Sequence, residues 1–305
     1  MISVVICTYN RASVLDATLT SFFRQACLDA VDHELLIIDN NSTDRTRDVV
    51  EKYLERPTVR YVFEPRQGLS VARNRGVAES RGEFVALLDD DVMIDPEWLS
   101  ALGRAFQETQ ADVIGGRSYL ILEGAVPEWF GPDFRPLLSE VKLGESRLIV
   151  PEGRGLFGLN LAFRRSALGA AGGFDESLGR SGAGLLGGEE TVVMRRIAAS
   201  GGVIMYDPDV VVGHVIGVDR LKWDYFARLA AGIGRSAALW ERHATFTGRI
   251  KAIGRSIGAF RRALTTLAVE VVTRRTPYER RRAWHRMLSV RSRLATQMLL
   301  LLRRG

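Results

Sequence analysis

Three consecutive carboxylates, Asp89, Asp90 and Asp91, follow directly on the apolar stretch FVALL, residues 84–88. The three side chains repel one another, and core packing gains nothing from them. A solvent-exposed turn would accommodate the three side chains without any functional role. The alternative is that they face a cation, or a ligand that brings a cation with it.

Strand-like and helix-like segments alternate over the first part of the chain. The predicted strands are Ile2–Tyr9, Glu34–Asn40, Val59–Phe63 and Phe84–Leu88. Predicted helices cover residues 14–23, 48–54 and 67–80, and a fourth begins at Asp95-Pro96 with Asp95 as its N-cap. This alternation with short connections predicts an α/β fold, a doubly wound and mostly parallel sheet with right-handed crossovers.

Polar clusters lie at the ends of three of these strands: Thr8-Tyr9-Asn10, Asp39-Asn40 and Asp89–Asp91. In doubly wound sheets, ligands bind beyond the carboxyl ends of the strands. Three such clusters therefore favour a ligand site over a solvated turn. No G-x-G-x-x-G follows the first strand, which counts against a dinucleotide-binding site.

In this context the sequence resembles the family 2 glycosyltransferases, which have the A-type nucleotide-diphospho-sugar transferase fold. The resemblance covers most of residues 2–214, and no clear match is seen beyond Val218. The matching stretches are SVVICTYNR, LLIIDNNSTDRT, QGLSVARNRGVAESRGEFVALLDDDVMIDPEWL, GLNLAFRRSAL with GGFDESLG, GGEETVVMRRIAASGG and YDPDVVVGH. They imply transfer of a sugar from a nucleotide diphosphate donor, usually with inversion at the anomeric carbon.

The resemblance also implies a divalent metal, because the two donor phosphates and the leaving diphosphate need charge neutralisation. It assigns Asp91 as a metal ligand and Asp89 as a ribose or metal contact. The role of Asp90 stays open, and the triple Asp leaves the register open by one position. His214 matches a histidine that completes the metal shell, with a structural histidine after VVV as the alternative. Oxygen ligands and one imidazole suit Mn²⁺ or Mg²⁺ better than zinc.

Six positions match family residues that hold the donor: Thr8, Tyr9, Asn10, Asp39, Asn40 and Arg73. Tyr9 would stack on the base or be a buried structural tyrosine, and Asp39 would contact the nucleotide or cap the following helix. Many relatives carry Asp where Asn40 stands, which leaves the base open. Arg73 would pair with donor phosphate or with Asp39, or be a solvated helix arginine.

Two adjacent carboxylates, Glu189 and Glu190, follow the glycine-rich GLLGG and begin a predicted helix. Inverting transfer needs a carboxylate to take the proton of the acceptor hydroxyl. The family pattern here is usually Glu-Asp with the second residue as base, so Glu190 is assigned as base and Glu189 as an orienting residue. The reverse assignment stays open because Glu replaces Asp. The alternative is that both only favour the positive end of the helix.

The segment Ser118–Gly155 interrupts the alternation with four prolines and several glycines. Its length predicts an acceptor-side insertion or lid rather than a simple connection. Trp129 within it would stack on a sugar face or pack in a core. Asn160, further along, matches a family position that lines the site on the acceptor side.

Charge is divided unevenly along the 305 residues. Residues 217–305 contain 20 Lys and Arg and 5 Asp and Glu, a net charge of +15, whereas residues 1–216 carry −9. We therefore predict a catalytic domain over residues 1–216 and a basic amphipathic helical tail over residues 217–305. Apolar spacings of three and four predict helices near residues 223–240 and 250–271, and a third ends in MLLLLRRG.

The apolar faces of the tail would either pack within the protein or attach to an anionic membrane surface. Nucleic-acid binding is less favoured, because no recognition module is visible. No basic leader precedes the first strand, and the apolar run around Cys7 favours a reduced thiol over a disulfide with Cys27. The predicted location is cytoplasmic and peripheral, at the inner face of the membrane.

The predicted function is that of an inverting, metal-dependent glycosyltransferase in cell-surface polysaccharide biosynthesis, with a glycan or lipid-linked acceptor. A sugar-phosphate nucleotidyltransferase is one alternative, although such enzymes usually carry a Gly-rich basic loop after the first strand, which TYNRASVL lacks. A catalytically inactive relative that binds only donor or glycan is the other. The sugar, the base and the acceptor stay open.

Overall fold

The computed structural model describes residues 1–26, 28–151, 155–182, 184–240, 246–273 and 276–302. The chain forms two compact units. Unit 1 comprises Met1–Ile121, Leu138–Ser177 and Glu189–Ile216, and unit 2 comprises Leu122–Leu137, Leu178–Gly188 and Gly217–Gly305. The C-terminal unit thus contains two earlier segments in addition to the predicted tail.

Strands and helices alternate through unit 1. The strands are β1 (Ile2–Thr8), β2 (His33–Asp39), β3 (Val59–Phe63), β4 (Phe84–Asp89), β5 (Val92–Ile94), β6 (Val113–Leu122), β7 (Leu148–Ile149), β8 (Asn160–Arg164) and β9 (Ile204–Ile216). The helices are α1 (Ala12–Phe22), α2 (Thr46–Glu51), α3 (Leu69–Glu79), α4 (Trp98–Glu108), α5 (Arg165–Ala170) and α6 (Glu189–Ala199).

The strands described form one sheet in the order β3-β2-β1-β4-β8-β6-β9-β5, with β7 paired to β9. The first four strands of this order are parallel, and β8 joins β4 in the antiparallel direction. Strands β1, β2 and β4 are buried almost throughout, which accounts for their continuous apolar runs. The predicted α/β fold class is confirmed.

One predicted helix start is wrong. Helix α4 begins at Trp98, not at Asp95. The carbonyl oxygen of Asp95 accepts a hydrogen bond from the Trp98 amide at 2.9 Å, and its side chain accepts one from the Glu97 amide at 3.0 Å. A turn closed by Asp95 therefore precedes the helix.

Asn160 is a buried cross-link of the core of unit 1. Its Oδ1 accepts a hydrogen bond from the indole Nε1 of Trp98 at 2.8 Å. Its Nδ2 donates to the carbonyl oxygens of Val210 at 2.8 Å and Arg117 at 3.0 Å. The whole amide is thus engaged by α4, β6 and β9, which gives Asn160 a structural role, and its place on the acceptor side stays a prediction.

Unit 2 contains the three helices predicted for the tail, α7 (Trp223–Trp240), α8 (Phe246–Val272) and α9 (Pro277–Leu302). Helix α9 packs against both α7 and α8. Trp129 packs edge-to-face against Trp223 and Phe226, with ring centroids 5.6 and 5.2 Å away. Its ring is partly buried among the aromatic rings of this unit, which supports the packing alternative, and sugar stacking stays a prediction.

The segment Leu178–Gly188 is held against α7 within unit 2. The Gly187 amide donates to Ser236 Oγ at 3.0 Å. A Cβ on Gly232 would lie 2.0 Å from the carbonyl oxygen of Leu185, so only glycine allows this approach. Among the described helices, none has the length and apolar character needed to cross a bilayer.

We expect Asn160→Ala to lower the free energy of unfolding by about 3 kcal/mol, because three buried hydrogen bonds lose their partner. Chemical denaturation measures this. Gln107→Ala, which removes an exposed amide from α4, is the matched control and should leave stability within about 0.5 kcal/mol of wild type. Unchanged stability with a raised KM for the acceptor would instead favour the acceptor-side role.

Candidate active site

The carboxyl ends of β1, β2 and β4 meet at one edge of the sheet. Thr8 lies beside Asp39 in the register of β1 and β2, and Cys7 lies beside Asp89 in that of β1 and β4. The three polar clusters found at the strand ends therefore lie at the same edge of the sheet. Cys7 is a free thiol whose pKa is raised by burial to about 12, and Cys27 lies outside the described residues.

Asp39 uses both carboxylate oxygens within the protein. Oδ1 accepts a hydrogen bond from the Ser42 amide at 2.8 Å, and Oδ2 accepts one from the Tyr61 hydroxyl at 2.7 Å. Burial and this carboxylate raise the pKa of Tyr61. Asp39 therefore caps the turn after β2, and the predicted pairing with Arg73 is not present.

Asn40 joins the turn after β2 to the turn that precedes α3. Its Nδ2 donates to the carbonyl oxygen of Arg66 at 2.7 Å, while its Oδ1 accepts from the Gly68 amide at 2.8 Å. A carboxylate could not donate the first of these bonds. The departure from the family's usual Asp thus has a local physical reason, independent of the nucleotide base.

Tyr9 and Asn10 follow β1 at the surface. Tyr9 is 37% exposed, which excludes a buried structural role and leaves its ring accessible to a ligand. Asn10 adopts a φ of 52° and its Oδ1 accepts a hydrogen bond from the Thr43 amide at 2.7 Å. Asn10 thereby ties the loop after β1 to the loop after β2.

Asp90 is turned into the protein. Its Oδ2 accepts a hydrogen bond from Thr8 Oγ1 at 2.8 Å, and its Oδ1 lies 3.3 Å from Arg11 Nε. Burial raises the pKa of Asp90 to about 7, although the positive charge of Arg11 opposes the shift. These contacts indicate a structural role for the residue that the sequence left open, and they occupy the hydroxyl of Thr8.

His214 and Asp91 are brought together by the pairing of β5 with β9, which places Val92 opposite His214. The Nδ1 atom of His214 lies 2.8 Å from the carbonyl oxygen of Leu138. Because a carbonyl oxygen only accepts, Nδ1 carries the proton, and in the neutral ring Nε2 presents its lone pair. Nε2 lies 3.4 Å from Asp91 Oδ1.

The chemistry of this pair fits a divalent cation. A carbonyl oxygen that fixes the histidine tautomer is a common support for a metal ligand. Among the described residues no group of three or more His, Cys, Asp or Glu side chains is arranged around a cation position. Two protein ligands suit Mg²⁺ or Mn²⁺ when substrate phosphates supply the others.

Arg73 connects the two acidic clusters. Its Nη1 donates to Glu189 Oε1 at 2.6 Å, and its Nη2 lies 3.2 Å from Asp89 Oδ1. The side chains of Arg73 and Glu189 are each only 4% exposed. A Cβ at Gly158 would lie 2.2 Å from Nη2, so glycine at that position makes room for the guanidinium.

Glu190 lacks such a counter-ion contact. It is buried, and desolvation with the adjacent Glu189 raises its pKa to about 8, against the lowering effect of Arg73. Among the described residues no donor reaches its buried Oε2. Burial thus raises the pKa of Glu190 by more than the helix N-terminus lowers it. The resulting pKa suits a general base.

Comparison with known proteins identifies the family. The model of "Glycosyl transferase family 2" matches residues 3–170, more than half of the chain. The chain belongs to glycosyltransferase family 2. The resemblance inferred from the motifs is therefore confirmed.

Among curated relatives, the validoxylamine A glucosyltransferase of Streptomyces hygroscopicus subsp. jinggangensis (strain 5008) is 37% identical over 143 residues, which are 46% of this chain and 33% of the relative. The succinoglycan biosynthesis protein ExoM of Rhizobium meliloti (strain 1021) is 28% identical over 79% of this chain and 76% of its own. The chain thus spans about a third of the first relative and about three quarters of the second.

Solved structures support the same fold. The mannosyltransferase PcManGT from Pyrobaculum calidifontis, solved with GDP-Man and Mn²⁺, superposes with a TM-score of 0.62 and 18% identity. The match covers 99% of this chain and 86% of that one. At this identity the likeness demonstrates the fold alone.

Several contacts of the family 2 site were not predicted. Arg11 stands in the TYNR motif, but nothing local in the sequence pairs it with Asp90 and Asp91. The bond from His214 to the Leu138 carbonyl and the space left by Gly158 depend on residues far apart in the chain. A buried guanidinium shared by Asp89 and Glu189 likewise has no signature in sequence spacing.

The raised pKa of Glu190 predicts a pH-dependent stability. Between its ordinary pKa and about 8 the folded protein holds a proton that the unfolded chain releases, so stability falls as pH rises through this window. Glu190→Gln should therefore be more stable than wild type by at least about 1 kcal/mol near pH 9, and equal to it near pH 4.5.

Melting curves across this pH range measure the difference. The exposed Glu55→Gln is the control and should follow wild type throughout. A constant offset between Glu190→Gln and wild type at every pH would contradict the raised pKa.

Proposed function

We propose that this family 2 protein is an inverting, metal-dependent glycosyltransferase that moves a sugar from a nucleotide diphosphate donor to a glycan or lipid-linked acceptor. The observation that carries the proposal is the division of labour between the two glutamates. Arg73 holds Glu189 as a charged partner, whereas Glu190 stays buried with a pKa raised to about 8. Glu190 is therefore the base, as the motif predicted.

The geometry suggests the following roles. Asp39, Asn40 and Asn10 shape the turns beyond β1 and β2, where the nucleoside would bind, and exposed Tyr9 would stack on its base. Asp89 is 35% exposed on its side chain and would contact the ribose, while Arg73 keeps it oriented. Glu190 would accept the proton of the acceptor hydroxyl as its oxygen attacks the anomeric carbon.

A divalent cation would be held by Asp91 and His214, and would neutralise charge on the donor diphosphate as the sugar leaves. The Mn²⁺ in the complex of the Pyrobaculum calidifontis mannosyltransferase supports this choice of cofactor, with Mg²⁺ as the alternative. The name of the Rhizobium meliloti relative, a succinoglycan biosynthesis protein, supports a role in polysaccharide formation.

The two competing functions differ from this proposal in their chemistry. Family membership favours glycosyl transfer over nucleotidyl transfer. A binding-only relative would have no need of a buried carboxyl with a pKa near neutrality. Release of nucleoside diphosphate from nucleotide sugars distinguishes the three functions, since a binder releases none and a nucleotidyltransferase releases or consumes pyrophosphate.

We expect Glu190→Gln to reduce turnover by at least about a hundredfold, because the acceptor proton loses its base. Donor affinity should change little, since no hydrogen bond joins Glu190 to the donor-side residues above in the described structure. Excess EDTA should abolish turnover of wild type, and added Mn²⁺ or Mg²⁺ should restore it.

Glu189→Gln is the matched variant, because it removes the neighbouring carboxylate and keeps the same side-chain length. It should lose stability because the buried ion pair between Glu189 and Arg73 is removed, but it should retain more activity than Glu190→Gln. An active Glu190→Gln beside an inactive Glu189→Gln would reverse the assignment, and full activity in EDTA would disprove the metal dependence.

For the tail, we propose attachment to an anionic membrane surface through one face of α8. Ile250, Ile257 and Leu264 recur every seven residues on this face and are 45%, 46% and 43% exposed. Exposed Lys251 and Arg261 lie beside them. The face combines apolar insertion with positive charge, as peripheral amphipathic helices do.

The exposed apolar face of α8 is narrower than the apolar helix faces that the spacing of three and four residues predicted. On α7, Phe226 and Ala230 are fully buried. On α8, Ala263 and Leu267 face the packed side of the helix. Packing within unit 2 thus buries Phe226, Ala230 and Leu267 among the predicted apolar positions, whereas Ile233 on α7 and the heptad-spaced set on α8 are exposed.

We expect the double substitution Ile257→Glu and Leu264→Glu to reduce binding to vesicles containing phosphatidylserine at least about tenfold, since two apolar anchors become charged. Co-sedimentation measures bound protein, and about 0.5 M salt should weaken wild-type binding. Ile149→Glu, at a 68% exposed isoleucine of unit 1, is the control and should bind like wild type. Wild-type protein that stays in the supernatant at low salt would disprove the attachment.

A further inference from the structure

The guanidinium of Arg11 contacts the carboxylate of Asp91, which is the group that would bind the proposed metal. Its Nη2 lies 2.7 Å from Asp91 Oδ2, and its Nε lies 3.3 Å from Asp90 Oδ1. One guanidinium thus bridges two neighbouring acidic side chains that are 2% and 8% exposed, and it is itself 33% exposed. The protein itself therefore supplies a counter-ion for Asp90 and Asp91.

We propose that Arg11 is a positioning residue that makes metal binding depend on the donor. A divalent cation held by Asp91 and His214 would lie next to the positive guanidinium. Repulsion between the two cations weakens binding of the metal alone, because charges at such short range in a partly buried site are poorly screened. A donor diphosphate supplies the negative charge that both cations require.

The surrounding charges agree with this role. The other arginine of the site, Arg73, is engaged by Glu189 and Asp89, so it does not compete for Asp91. The contacts with Arg11 pair Asp90 and Asp91 with a positive charge, which avoids the large penalty of burying unpaired carboxylates. The same pairing withholds part of the Asp91 charge from a metal that arrives without donor.

The inference rests on the proposed metal dependence, and its test measures binding instead of turnover. Electron paramagnetic resonance measures the concentration of free Mn²⁺. It therefore gives the Mn²⁺ dissociation constant of each variant, first without nucleotide and then with saturating UDP or GDP. For wild type we expect weak binding of Mn²⁺ alone and much tighter binding with the diphosphate. By linkage, Mn²⁺ should tighten diphosphate binding by the same factor.

Arg11→Gln should bind Mn²⁺ alone at least about tenfold more tightly than wild type, equivalent to about 1.4 kcal/mol, and its gain from diphosphate should shrink. Arg45→Gln removes an equal charge from an arginine that pairs only with exposed Asp48 in the described structure, and should match wild type. When Asp91→Asn is added to Arg11→Gln, the tighter binding of Mn²⁺ should be lost, because the effect of Arg11 acts through the Asp91 carboxylate.

Arg11→Lys keeps the charge but cannot bridge both carboxylates, so it covers the case in which Arg11→Gln fails to fold. It should bind Mn²⁺ alone about threefold more tightly than wild type. Suppose that wild type binds Mn²⁺ with diphosphate, but that folded Arg11 variants bind Mn²⁺ alone no more tightly than wild type does. That result would overturn the role of Arg11. If wild type binds no Mn²⁺ even with diphosphate, the metal dependence itself fails, and the role of Arg11 with it.

Discussion

Two guanidinium groups balance five closely placed carboxylates, and the candidate site depends on this balance. The carboxylates are Asp89, Asp90, Asp91, Glu189 and Glu190; Arg11 pairs with the second and third, and Arg73 with the first and fourth. Burying carboxylates without counter-ions is strongly unfavourable. The two arginines therefore allow these acidic groups to be buried close together at the strand ends.

The balance leaves Glu190 without a direct cationic partner, and its chemistry follows from that. Glu189 and Glu190 begin the same helix and are both buried, yet only Glu189 reaches Arg73. Desolvation then dominates at Glu190 and raises its pKa to about 8. Adjacent helical positions point about 100° apart, which is how one helix turn places Glu189 against Arg73 and leaves Glu190 without that contact.

Two departures from the usual family pattern have structural explanations. Asn40 donates to one backbone carbonyl and accepts from one backbone amide, which needs an amide side chain. Asp90, the extra residue of the triple Asp, is bound by Thr8 and Arg11 inside the fold. Both unusual positions therefore have contacts that hold the strand ends together.

The sequence by itself determined the parallel strands, the strand ends where polar residues converge, and the three helices of the tail, because apolar periodicity and strand-end chemistry are local properties. It also singled out Asp91, His214 and Glu190 as candidates through their motifs, and their roles stay predictions. Only the tertiary structure decided which partners these side chains have. The contacts of Arg11 with Asp91, His214 with Leu138 and Arg73 with Glu189 join residues 80, 76 and 116 positions apart. Asn160 and Trp129 show the same limit, since burial against distant elements decides whether a polar or aromatic side chain packs in a core or faces a ligand.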